Sequence, residues 1–147
     1  MKKEETKSLA MTQDLYVDPL EALLSVDADK SPEDDVYLKR LNAKFRVRGP
    51  KQSEYKATLE RCVKETGKGK NLRRSLDTDM FQKLLVHTFT VSPNLADPKL
   101  AEKYGALVAE EVVEKALLPG EVDKLAERIL ELGGYGEDDD LVEEAKN

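Results

Sequence analysis

A chain of 147 residues that is 37% charged and 39% hydrophobic, without Trp and with net charge −6, holds enough apolar material for one modest core. No apolar run approaches the ~20 residues that cross a bilayer, and no apolar stretch follows the charged start Met1-Lys2-Lys3-Glu4-Glu5, so a cytoplasmic protein without a secretion signal is expected. A single cysteine, Cys62, excludes an intramolecular disulfide and a Cys-based zinc site.

The net charge hides a segregation. Residues 36–74 carry 13 basic and 3 acidic side chains, whereas residues 1–35 carry 4 and 10, and residues 75–147 carry 7 and 17. A basic centre between acidic flanks neutralises itself by folding, or makes a dipolar molecule that docks an oppositely charged partner or a second copy.

In chain order, residues 1–11 are polar and aperiodic and are expected to be disordered. Asp18-Pro19-Leu20-Glu21 then starts a short helix, with Asp18 as cap and Pro19 at the first helical position. Leu20, Leu23 and Leu24 share one face of it. Asp27 to Asp35 reads as an acidic linker. From Val36 the apolar period is two: Val36 and Leu38, then Phe45 and Val47, joined around Asn42, give a β-hairpin that must pack on helices to be stable.

Gly49-Pro50 closes the hairpin, and Ser53 is expected to cap a helix carrying Tyr55, Leu59, Cys62, Val63 and Thr66. Gly67-Lys68-Gly69-Lys70-Asn71 breaks it. The next helix runs from Asp77 or Asp79 to Thr88 and buries Met80, Phe81, Leu84, Leu85 and Thr88. Residues 91–95 form a turn, a short helix from Asp97-Pro98 is closed by Gly105, and another lies near 108–117. The last helix, Pro119 to Leu132, presents Val122, Leu125, Ala126, Ile129 and Leu130, and Gly133 or Gly134 stops it so that Tyr135 folds back. The expected fold is mainly α (α+β): about five to six helices and one short β-hairpin in a single domain over 12–135, followed by a flexible acidic tail, 136–147.

No reacting group stands out. His87, the lone histidine, has no carboxylate or thiol at ligand spacing, and Cys62 sits among apolar neighbours. Gly67-Lys68-Gly69-Lys70 lacks the spacing of a phosphate loop, and the Glu137–Asp140 run lacks the pattern of a calcium loop. The chain therefore reads as a binding protein, not an enzyme, and needs no cofactor or metal. Lys64, Lys68, Lys70, Arg73 and Arg74 form the densest basic cluster. A small nucleic-acid-binding regulator using residues 64–74 is the alternative; the missing aromatics and the acidic chain disfavour nucleic acid, and an acidic protein segment suits the cluster better.

The ordered motifs Asp18-Pro19-Leu20-Glu21-Ala22-Leu23-Leu24, Arg40-Leu41…Phe45-Arg46-Val47, Pro93-Asn94-Leu95…Lys103-Tyr104-Gly105 and Leu117-Leu118-Pro119-Gly120-Glu121…Gly133-Gly134-Tyr135 resemble the XkdN-like tail assembly chaperones of phages and prophages of Gram-positive bacteria. The basic loop 67–74 and the first ten residues depart from that pattern. The resemblance implies a non-structural protein that binds the long helical tape measure protein, helps recruit tail tube protein and then leaves; the lack of a long apolar run adds the expectation of no membrane association. Self-association remains open. Leu20, Leu23 and Leu24, with Leu117, Leu118, Val122, Leu125 and Ile129, are the candidate partner surface; the competing reading is that all of them are core. Chaperones of this kind often occur in two lengths, the longer made by a minus-one frameshift. Ala145-Lys146-Asn147 can be encoded GCA-AAA-AAC, which contains a slippery heptamer in phase; other codons there would remove that implication.

Overall fold

The computed structural model describes residues 16–136, so the expected disordered 1–11 and the acidic tail beyond Gly136 lie outside the described residues. The chain divides into two compact units, residues 1–30 and 31–147, a division inside the span expected as one domain. The first unit contains helix α1, Pro19–Leu24, in which Asp18 accepts a hydrogen bond from the Glu21 amide at 3.2 Å and no residue is buried.

The second unit opens with strands β1 (Glu33–Leu38) and β2 (Ala43–Arg48), joined by a 3-10 turn, Lys39–Leu41, and by Asn42 at φ 49°. Val36, Leu38, Phe45 and Val47 point inward, as the period of two requires. The strand starts at Glu33, inside the expected linker, because its acids are neutralised: Arg46 donates to Glu33 at 2.8 Å and to Asp35 at 3.0 Å, and Arg128 to Asp34 at 2.8 Å. Val91 and Ser92, expected at the start of a turn, belong instead to β5 (Thr90–Ser92), which pairs with β2 and makes the sheet three-stranded in the order β1-β2-β5.

Helix α2 spans Gln52–Arg61, with Lys51 instead of Ser53 at its cap position. It stops at Cys62. Val63 and Thr66 belong to a second hairpin, β3 (Val63–Thr66) and β4 (Arg73–Leu76), which corrects the expectation of a single hairpin. Positive φ at Gly67 and Gly69 turns the chain there, a conformation that glycine adopts without strain. Helices α3 (Thr78–Phe89), α4 (Pro98–Tyr104), α5 (Ala109–Ala116) and α6 (Pro119–Leu132) follow. The described residues thus form an α+β fold of six helices and five strands in two sheets.

The core lies between the inner face of the three-stranded sheet and helices α3, α5 and α6, where Leu84, Leu85, Phe89, Val113, Leu125 and Ile129 are fully enclosed. On α3 the buried set includes Val86 and Phe89, whereas Thr88 faces solvent; the apolar stripe is wider than the spacing implied. Helix α6 ends in a Schellman motif. The Gly134 amide, at φ 99°, donates to Glu131 and the Tyr135 amide to Leu130, at 2.9 and 3.0 Å. Tyr135 then lies 5.5 Å from the Tyr55 ring, which meets Phe81 edge-on at 5.7 Å.

Arg48 joins sheet and helix. Its guanidinium lies 4.9 Å over the Phe89 ring and donates two 2.8 Å bonds to Glu54, which also accepts from the Lys51 amide at 3.0 Å. The Arg48 bonds, helped by that amide and opposed by burial, lower the Glu54 carboxyl from 4.5 to about 2. A carboxyl held lower in the folded than in the unfolded chain stabilises fully above its unfolded value. That stabilisation is lost as pH falls from 4.5 toward about 2. Glu54→Gln is therefore expected to lower stability at neutral pH and flatten its fall between those two values, as read by denaturant melts across pH.

Candidate functional site

Two motifs far apart in sequence meet at one carboxylate. Glu121, in the first turn of α6, accepts the Leu118 amide at 2.8 Å, so the helix start opened by Pro119 is closed by its own third residue. Arg40, from the turn of the first hairpin, donates to the two oxygens of Glu121 at 2.9 and 2.7 Å and to the Ala116 carbonyl at 3.1 Å. This bond raises the Arg40 pKa and lowers that of Glu121. The junction is structural: three groups are mutually satisfied and none is left to react.

The residues expected to face a partner separate into exposed and buried sets. Leu20, Leu23 and Leu24 on α1 are 64%, 74% and 75% exposed. Their spacing puts them on one side of a single short helix in which no residue is buried. Leu118 is half exposed. Leu117, Val122, Leu125 and Ile129 are buried, and the last two have no accessible surface. Leu117 and Val122 reach only the floor of a depression of about 270 Å³ rimmed by Asp79, Lys83, Glu114 and Asp123. The α6 stripe is thus core, because it closes over the sheet and α3. It offers no groove.

The basic residues Lys64, Lys68, Lys70, Arg73 and Arg74 all lie on the β3–β4 hairpin and its connecting turn, and all are exposed. Val63 pairs with Leu76, Lys64 with Ser75, Glu65 with Arg74 and Thr66 with Arg73. Alternation therefore puts Lys64 and Arg73 on one face and Arg74 with Leu76 on the other. Among the described residues, Lys64 meets Asp77 and Arg74 meets Glu65, each at 3.5 Å, and no carboxylate lies within ion-pair distance of Lys68, Lys70 or Arg73.

The remaining candidates for chemistry are quiet. Burial, with Asp77 adding to it, pushes the Cys62 thiol up, so it is not poised as a nucleophile. Burial and the nearby Arg61 lower the His87 pKa, and this histidine lines a small depression between α3, α4 and α5. No group of three His, Cys, Asp or Glu side chains among the described residues is placed to hold a metal ion. No helix among them is long and apolar enough to cross a membrane.

Residues 20–146 match the family described as phage XkdN-like tail assembly chaperone protein. The chain belongs to this family. The crystal structure of the protein YqbN is similar in fold, with a TM-score of 0.59 at 18% identity, covering 82% of this chain and 99% of that one. No curated protein matches the chain.

For this tail assembly chaperone, three structural contacts besides Arg40–Glu121 had no signal in the sequence. Arg48 with Glu54 and Arg128 with Asp34 are ion pairs that only the fold brings together. The third is Gly49, whose absent side chain lets the end of β2 lie against the Leu132 carbonyl and the Gly133 amide at the end of α6. Gly49-Pro50 announced a break in the hairpin; that the break is also a backbone-to-backbone contact could not be read from it.

Proposed function

We propose that the chain binds the tape measure protein of a long phage tail in the host cytoplasm, keeps it soluble while tail tube subunits are recruited, and is absent from the finished particle. Membership of the tail assembly chaperone family supports this class of role, and the exposed stripe Leu20, Leu23 and Leu24 carries the specific reading. Three leucines on a capped helix with no buried residue match the way an apolar stripe on a long helical partner is recognised. Each would gain roughly 1.5–3 kcal/mol on complete burial, before the cost of association. Leu118 is a separate, smaller contact.

Co-expression with the tape measure protein from the same genome is expected to raise that protein's soluble yield several-fold. Changing Leu20, Leu23 and Leu24 together to serine is expected to abolish the gain while the chaperone itself stays folded. An unchanged yield with the wild-type chain would sink the proposal. A second reading, a small nucleic-acid regulator, draws on the exposure of all five cations of the 64–74 cluster. It requires a salt-dependent gel shift that persists near physiological salt.

A further inference from the structure

We infer that the acidic segment 137–144 docks on the β3–β4 hairpin of the same chain. The hairpin presents five basic side chains and one acidic one over residues 63–76, and three of the five have no ion-pair partner among the described residues. It is also apolar in places. Leu72 and Leu76 are 49% and 39% exposed, and Val63, Arg74, Ser75 and Leu76 line a shallow depression at the hairpin's base. The occupant should therefore bring several carboxylates and one or two aliphatic side chains. The sequence Glu137-Asp138-Asp139-Asp140-Leu141-Val142-Glu143-Glu144 has this composition, with the aliphatic pair between two acidic runs. Nucleic acid would match the cations and leave the leucines exposed, and no aromatic side chain stands on the hairpin for a base to stack on.

Reach favours the same chain over a second copy. Tyr135 rests on Tyr55, near the start of α2, and the hairpin leaves from the far end of that helix at Cys62. The separation along the helix is roughly 10 Å at 1.5 Å per residue. Eight extended residues span up to about 26 Å, so the acidic segment can reach the base of the hairpin and run on along its strands. Docking in this way also neutralises the basic centre of the chain with its own flank.

Carbodiimide coupling of the full-length chain at low salt, with peptide mass mapping, tests this. Amide links are expected between carboxylates of 137–144 and the amines of Lys64, Lys68 or Lys70, falling about fivefold or more in 1 M salt as the charges are screened. In an equal mixture of heavy-isotope and ordinary chains, the links should join peptides of the same isotope. They should persist when a short DNA duplex is added near physiological salt. Absence of links, a share of unlike-isotope links near the one half that random pairing between chains gives, or their loss to the duplex would each overturn the inference. The second of these would place the segment on another copy, and the third would make nucleic acid the stronger occupant.

Discussion

Replacing Gly49 by alanine is expected to destabilise the second unit by about 3 kcal/mol, at the upper end of what overpacking a buried site costs. A Cβ at Gly49 would fall inside the van der Waals shell of the Leu132 carbonyl and 2.8 Å from the Gly133 nitrogen. Both are backbone atoms, so no rotamer change relieves the clash. The sheet and α6 would have to separate at their point of closest approach. Gly120→Ala is the control: a Cβ there meets nothing within 4 Å, and the position lies inside helix α6. That substitution is expected to be neutral or to stabilise by about 0.5–1 kcal/mol, since alanine loses less backbone entropy than glycine in a helix. Denaturant melts of the two variants read the difference directly as a shift in midpoint at constant slope.

Leu125→Ala is expected to cost about 2–5 kcal/mol, because the side chain is fully enclosed and the cavity it leaves cannot collapse against sheet and helix together. Leu23→Ser and Leu24→Ser are expected to change stability by less than about 0.5 kcal/mol, since both leucines are largely exposed. Solubilisation of the tape measure protein should show the reverse sensitivity. Any loss of function in Leu125→Ala should follow its loss of folded protein, whereas the α1 variants should lose function while folded. A Leu23→Ser variant that unfolds with Leu125→Ala would place α1 in the core and remove it as a docking element.

The contrast explains how much the sequence made legible. The stripes on α1 and α6 look alike as patterns, leucine and other aliphatics at helical spacing. Nothing in the spacing of Leu20, Leu23 and Leu24 or of Val122, Leu125 and Ile129 says whether the covering surface is the same chain or another. The first hairpin was legible because its inner face is buried: Val36, Leu38, Phe45 and Val47 alternate as a half-buried strand must. Both strands of the second hairpin face solvent on nearly all sides, so Val63–Thr66 and Arg73–Leu76 carry no alternation, and the sequence of β3 reads as a continuation of the preceding helix. The helix boundaries at Asp77, Asp97 and Pro119 were legible because caps and proline act locally. The Arg40–Glu121 junction was not, although both residues stand in the motifs that carried the family resemblance.

That junction joins positions 81 residues apart, and Arg128 reaches back 94 residues to Asp34. A ribosome makes the first hairpin early and the helix that covers it late. Through most of the chain's synthesis, Val36, Leu38, Phe45 and Val47 have no α6 to pack against, and the carboxylate that anchors Arg40 does not yet exist. The nascent chain therefore carries an incompletely covered apolar sheet face until residues 119–132 are free to fold, and only their arrival locks the turn of the hairpin in place.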